Sequence, residues 1–400
     1  MRSHLQLLGI SALLIGLSAT LNEERRCSCD YHKAWLDIVF VFDSSKEINR
    51  QDFYAVRNFV SAFVRSIPVS QQIGPYSRVG IINAGDEAFV VGSLKAYNNS
   101  IDAANAIRGL QFLNSNTLNL RSYFKNFKKP TDPRAMKEAA NMVNYGERPN
   151  VKKVVVVFSG KSEPCSYQGM RMKLTKLEED MNPCRIASQM KTNGNVIITI
   201  GMKFDGLQRF PDMRFGSECY TLNFDEAFTS NFAQAICNAN CFCQQPFVQF
   251  ANKCQRYGEC VYQNGIPVAH SIAEQTCSDY GSKLISIFSL EKEVFVRNLA
   301  EKALINNYWL GARKINSNYT WPNGAGVDAY TNWAPSQPNA TQGNCVFEQT
   351  LNSVGSWRSD VCDDFTKTHY FSCQVDACKY PVCKFRAIFS LIVTGPVVGL

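Results

Sequence analysis

The chain has 400 residues, of which 45% are hydrophobic, and this length and content suit two or three packed domains. Its formal net charge of +8 comes from dispersed Lys and Arg, with nothing longer than pairs such as Lys128-Lys129 and Lys152-Lys153, which excludes the basic stripe of a nucleic-acid binder. The 16 cysteines form an even set without Cys-x-x-Cys pairs at zinc-finger spacing, so they read as an oxidised disulfide framework and not as metal ligands.

Arg2 and His4 precede an apolar stretch from Leu5 to Leu17 that ends in Ser18, Ala19 and Thr20. This predicts a secretory signal peptide over residues 1–20, and with it an extracellular, disulfide-permitting location. Sequons at Asn98, Asn318 and Asn339 fit N-glycosylation on that route.

Residues 34–238 alternate apolar runs with amphipathic stretches. Strands are predicted at Leu36 to Phe42, Arg78 to Ile82, Val151 to Phe158 and Asn195 to Ile200. Helices are predicted at Asp52 to Ser66, Ile101 to Leu110, Pro133 to Asn144 and Glu178 to Thr192. Such alternation argues for an α/β, doubly wound, largely parallel sheet covered on both faces, with ligands expected beyond the carboxyl ends of the strands.

The first strand runs into Phe42-Asp43-Ser44-Ser45-Lys46-Glu47. Here the domain resembles the von Willebrand factor A fold, whose adhesion site holds a divalent cation with Asp-x-Ser-x-Ser, a later Thr and a later Asp. The resemblance implies Asp43, Ser45, Glu47 and Thr131, or Thr117, as the Mg²⁺ or Ca²⁺ ligand positions. Glu47 stands where the last Ser belongs, and Val157-Phe158-Ser159-Gly160 passes the place of the later Asp, so the ligand set is incomplete. The alternative role for Asp43 and Ser45 is to satisfy backbone donors of the following loop. Cys165 and Cys184 bracket a Lys-, Glu- and Met-rich insertion and are expected to close it as a local disulfide.

A cysteine-rich, proline-bearing segment over residues 239–246 reads as a linker. Beyond it come Ser271 to Cys277, Leu284-Ile285-Ser286-Ile287, Tyr308-Trp309-Leu310-Gly311, and then Cys345, Trp357, Cys362 and Cys373. This order resembles the C-type lectin-like domain, an α+β, disulfide-stapled module, here over residues 247–376. The resemblance implies the pairs Cys277–Cys373 and Cys345–Cys362. The sequence from Asn316 to Thr350 holds little regular structure, and a disulfide closing such a loop restricts the unfolded chain.

Calcium-dependent members of that family bind sugar through Glu-Pro-Asn or Gln-Pro-Asp, an acidic residue before the third core cysteine, and Trp-Asn-Asp before the fourth. The resemblance makes Gln337, Asn339 and Asp360 the ligand-binding candidates, with Gln337-Pro338-Asn339 matching the first element. Gly343 replaces the acidic residue, Arg358 and Ser359 follow Trp357, and Asp360 is displaced by one residue, so this cation site is incomplete too. Trp309, Trp321, Trp333 and Trp357 are expected to pack the core and loops before serving as sugar platforms.

Residues 377–400 form a cysteine-containing tail with an apolar, uncharged end from Ala387, too short to cross a bilayer comfortably and lacking the small-residue triplet of a lipid-anchor signal. Lipid anchoring at the cell surface is the alternative to free secretion. The order of the modules resembles a secreted nematode family, which implies recognition of glycans or of cell-surface or microbial proteins, with a role in defence. No Gly-x-Ser-x-Gly or His-Glu-x-x-His motif speaks for an enzyme. A cation-independent protein-adhesion or matrix module is the second reading.

Overall fold

The structure, a computed structural model, describes residues 23–27, 29–116, 135–144, 148, 151–162, 165, 182–203, 209–339 and 341–377. The described chain divides into two compact units. One comprises Cys29 to Asn240, and the other comprises the stretch before Cys29 together with Cys241 onward.

In the first unit a six-stranded sheet has the order β3-β2-β1-β4-β5-β6, from β1 (Leu36–Asp43), β2 (Arg78–Ala84), β3 (Ala88–Gly92), β4 (Lys152–Ser159), β5 (Val196–Gly201) and β6 (Thr221–Asn223). All pairings are parallel except β2 with β3. Every residue of β1 is buried, as a central strand covered on both faces requires. Alternate side chains feed two cores. Ile38, Phe40 and Phe42 join α1 (Arg50–Ser66), α2 (Ser100–Arg108) and α5 (Phe228–Asn240) on one face. Val39 and Val41 join α3 (Ala135–Asn144) and α4 (Pro183–Thr192) on the other. Asn49, Asn99 and Asn182 cap α1, α2 and α4 by accepting from backbone N–H groups of the first turn, which fixes where each helix begins. Asp37, buried inside β1, is paired with Arg148. Cys29 is bonded to Cys237, and Cys165 to Cys184.

The second unit holds an eight-stranded sheet, built from β7 (Val248–Asn252), β8 (Gln255–Val268), β9 (Lys283–Leu284), β10 (Asn307–Ile315), β11 (Asn318–Thr320), β12 (Cys345–Leu351), β13 (Val354–Asp360) and β14 (His369–Asp376). The main path is β13-β12-β10-β14-β8-β7, with β10 and β14 parallel. Helices α6 (His270–Asp279) and α7 (Leu290–Lys302) pack on it. Trp309, Trp321 and Trp357 are buried in its cores, and Trp309 donates from Nε1 to the Val268 carbonyl at 2.8 Å. Cys277 is bonded to Cys373, Cys345 to Cys362, Cys243 to Cys260, and Cys27 to Cys241.

Disulfides staple the segment 239–246 at Cys241 and Cys243. Ala239 and Asn240 end α5, whereas Cys241 and Cys243 are built into the second unit by their disulfides. That unit also takes in residues N-terminal to the first domain. Gly258 donates to the Arg25 carbonyl at 2.7 Å, and Arg26 bridges Tyr257. Among the described residues no helix is long and apolar enough to cross a membrane. The tail beyond Ala377 and the signal-peptide region lie outside the described residues.

Candidate functional site

Two loop regions and one buried polar layer carry the chemistry. In the first unit, the carboxylate of Asp43 sits at the carboxyl end of β1, only 1% exposed. Its Oδ1 accepts from Ser45 N at 2.9 Å and from Ser45 Oγ at 2.6 Å, and its Oδ2 accepts from Gly160 N at 3.0 Å. Ser45 Oγ in turn accepts from Glu47 N at 3.2 Å. Burial raises the Asp43 pKa, against the lowering effect of these donors, and Glu47 raises it further.

The loop after β4 offers Ser159 and Gly160 where a carboxylate would serve a cation. A Cβ on Gly160 would stand 2.3 Å from the Glu47 carbonyl oxygen, so the two loops close directly on each other. The candidates Asp43, Ser45 and Glu47 are thus brought together, but the Asp43 carboxylate and the Ser45 hydroxyl already answer backbone donors. Thr131 and Thr117 lie outside the described residues. The oxygen set that the described residues bring together here is the Asp43 carboxylate, the Ser45 and Ser159 hydroxyls and Glu47.

In the second unit the long loop between β11 and β12 carries Gln337 and Asn339, separated by Pro338 after a cis peptide bond. Gln337 Oε1 accepts from Ser359 N at 3.0 Å and from Asn339 N at 3.1 Å. Its Nε2 donates to Gln342 Oε1 at 2.7 Å. Asn339 N also reaches Ser359 Oγ at 3.1 Å, and Asn339 Oδ1 accepts from Thr341 N and Oγ1. The oxygens that would face a cation are therefore engaged by donors on β13 and on the loop itself.

Asp360 does not join Gln337 and Asn339, which corrects its assignment as a third ligand. Successive side chains of a strand point to opposite faces. Ser359 takes the loop side, while the Asp360 carboxylate accepts from His369 Nε2 at 3.1 Å and meets Lys367 Nζ at 3.3 Å. Gly343 has φ +146°, and a Cβ there would lie 2.0 Å from the Asp360 carbonyl group, so an acidic side chain has no room at the position where the family pattern places one. Among the described residues no group of three or more His, Cys, Asp and Glu is arranged to hold a metal ion.

Of the four tryptophans expected to pack core and loops, Trp309, Trp321 and Trp357 are buried. Trp333 alone is half exposed, edge-on to Tyr319 at 5.1 Å and to Trp357 at 5.7 Å. Tyr319 is also half exposed, and its hydroxyl lies 3.3 Å from Ser359 Oγ, so this ring pair borders the Gln337 and Asn339 amides. The sequons at Asn98 and Asn318 are exposed, and Asn339 is half buried.

The polar layer beneath the loop was not visible in the sequence. Helix α7 turns Lys292, Glu293 and Arg297 inward. Arg297 donates to Glu293 Oε1 at 2.7 Å and to Glu348 Oε1 at 3.0 Å. Glu293 also accepts from the Tyr330 hydroxyl and from Asn332 Nδ2, at the base of the long loop. Asn332 is further joined to β13, donating to the Gly355 carbonyl at 2.9 Å and accepting from Trp357 N at 2.7 Å. Burial, then the repulsion of Glu293, pushes Glu348 up to about 7.

Beside Glu293 in the first turn of α7, the buried Lys292 ammonium pairs with Glu259 and, at 2.9 Å, with Glu24. Glu24 also accepts from Phe288 N at 2.8 Å and Ser289 Oγ at 3.2 Å, and burial pushes it up to about 7. The one sequence cue for this layer is the Glu293/Arg297 spacing, which places opposite charges on one helix face.

A von Willebrand factor type A domain model matches residues 37–232, and a C-type lectin domain model matches residues 267–374. Over 365 residues the chain is 22% identical to C-type lectin domain-containing protein 160 of Caenorhabditis elegans, which covers 84% of this chain and 53% of that protein. It is 30% identical over 108 residues to human C-type mannose receptor 2, covering 26% of this chain and 7% of the receptor. The chain thus spans about half the length of the nematode relative and a small part of the receptor. Among solved structures, a calcium-independent type II antifreeze protein aligns at 21% identity with a TM-score of 0.29, covering 34% of this chain and 97% of its own. The matched regions fall on the six-stranded α/β sheet and on the disulfide-stapled mixed sheet respectively, so the chain carries a von Willebrand factor type A domain followed by a C-type lectin domain.

Proposed function

We propose that this is a non-enzymatic recognition protein acting outside the cell, which uses the long loop of its lectin domain to bind glycan or protein ligands without a divalent cation at either inherited site. The observation that carries this reading is the closed hydrogen-bond circuit of Gln337, Asn339 and Ser359. It presents a shaped amide surface bordered by the half-exposed Trp333 and Tyr319 rings, and it engages the oxygens that a cation would need. Amide groups beside aromatic faces suit sugar hydroxyls and ring C–H faces, and suit polar protein surfaces equally.

The lectin matches and the nematode relative support recognition as the general role. Secretion, a defence role and glycans on Asn98, Asn318 and Asn339 are further parts of the proposal, supported by the apolar leader, the disulfides and the sequons.

The test is a glycan-array screen of the secreted protein with calcium and magnesium, repeated with chelator. Selective binding that survives chelation is the expected result. Chelator-sensitive binding would overturn the cation-independent reading, and an array of broad coverage without selective binding would move the ligand class to proteins.

A further inference from the structure

The lectin unit buries two clusters that have the same composition. In one, Glu293 and Glu348 share the single cation Arg297. In the other, Glu24 and Glu259 share the single cation Lys292. Each holds two carboxylates against one positive group in surroundings closed to solvent, so each carries an excess negative charge where charge is costly.

The groups facing Glu348 come from every element around it. Helix α7 supplies Arg297 and Glu293, β10 supplies Tyr308, the long loop supplies Tyr330, and β13 brings the backbone of Gly355, where a Cβ would lie 2.1 Å from Glu348 Oε1. Among the described residues no cation besides Arg297 faces it. Glu348 Oε2 and the neighbouring Tyr308 hydroxyl are both buried, and their contact, which favours the ionised carboxylate but is outweighed by burial, falls short of ordinary hydrogen-bond geometry. An ionised carboxylate oxygen left so is a natural place for a proton. Around Glu24 stand Lys292 of α7, Glu259 of β8 and the amide of Gln374 on β14, while the Arg25 side chain turns away to Asp376.

We propose that these clusters form a proton-set latch, in which mild acid adds one proton to each and fastens the base of the long loop and the N-terminal arm more firmly to α7. The raised values of Glu24 and Glu348 agree with this. A carboxyl whose folded pKa lies above its unfolded value binds more protons folded than unfolded between the two. Stability is therefore gained as pH falls from about 7 toward 4.5 and lost as pH rises through 7. Any opening that exposes the cluster, local or global, is opposed more strongly in acid. The latch itself stands on the buried clusters, and only its consequence for ligand capture rests on the recognition role proposed above.

Two histidines titrate in the opposite sense. Burial pushes His270 down to about 4 and also lowers His369, so their neutral forms favour the fold and that contribution is lost on acidification. Melting of the whole unit mixes the two effects, and a local measurement separates them.

The experiment is amide hydrogen exchange of the full chain without ligand at about pH 7.5 and about pH 5.5, corrected for intrinsic exchange rates. Peptides covering residues 330–334 and 355–358 contain the Ala334 and Trp357 amides that tie the loop base to β13. Their protection should rise on the order of tenfold in acid. Glu348→Gln should abolish that rise, while Glu24→Gln should leave it intact and flatten the pH dependence of residues 287–292. Protection that is flat or falls in acid, or a rise that survives Glu348→Gln, overturns the latch. Should Glu348→Gln fail to fold, the infrared band of a protonated buried carboxyl in the wild-type protein decides. Its appearance between the two pH values supports the proposal and its absence overturns it. Because no ligand is involved, failure here is distinguishable from failure of the recognition role.

Discussion

Gly160 and Gly343 show how tightly the two loops close. Gly160 lies against the Glu47 carbonyl and Gly343 against that of Asp360, so at residue 343 the backbone fills the volume where the family pattern places a ligand side chain. Restoring the family residue should therefore not restore a site. Gly343→Asp is expected to cost roughly 1–3 kcal/mol, through a backbone conformation that L side chains rarely adopt and through overpacking against Asp360. Thermal unfolding of the variant with and without calcium checks this. Unchanged stability, or a calcium-dependent rise in melting temperature, would contradict it.

Elements differ in how plainly the sequence announces them, and burial geometry explains the difference. Leu36 to Phe42 reads as a central strand because both faces of β1 are covered, and Asp52 to Ser66 reads as a helix because Phe53, Val56, Val60 and Phe63 recur along one face. Strand β3 escapes such reading because Phe89, Val90 and Val91 are all exposed at a sheet edge beside a register shift, which erases the period-2 signal. The pairings Cys27–Cys241 and Cys29–Cys237 span more than 200 residues, and spacing alone could not choose them. Asp360 was legible as displaced, but not as the partner of His369 and Lys367, because those contacts are tertiary.

Helix α7 is the sharpest case. Its Leu290 and Val294 are exposed, and Lys292, Glu293 and Arg297 are buried beside Val296 and Ala300, so charged and apolar residues share the inward face. Besides the Glu293–Arg297 pair within the helix, the inward charges are met by Glu24, Glu259 and Glu348, which come from distant parts of the chain. Lys292→Met should cost about 3–5 kcal/mol at neutral pH, since it strands two buried carboxylates. The loss should shrink in mild acid, because the raised pKa of Glu24 allows protonation to relieve the stranded charge. Denaturant unfolding at the two pH values reads both effects, and a pH-independent loss would count against the charge argument.

At the scale of the whole molecule, the chain order and the folding units do not coincide. The residues just before Cys29 belong with the lectin unit, although the entire A-type domain separates them from it in sequence. Their hold is specific. Cys27 is bonded to Cys241, Arg25 N donates to Glu259 Oε1 at 2.8 Å, and Glu24 supplies the second carboxylate to Lys292 and accepts from Phe288 N and Ser289 Oγ at the start of α7. A two-unit protein is expected to unfold in more than one step, so the two units can be followed separately. Glu24→Ala removes the acceptor for a buried amide and hydroxyl together with one partner of a buried ammonium. It should lower the lectin transition by roughly 1–3 kcal/mol, the cost of leaving buried donors unsatisfied, while the A-type transition stays in place. Glu23→Ala, at an exposed neighbour, should move neither transition. Calorimetry of the full-length protein and its two variants resolves the transitions. A shift of the A-type transition in Glu24→Ala, or an equal effect from Glu23→Ala, would show that the arm acts as a general tether and not through the Lys292 cluster.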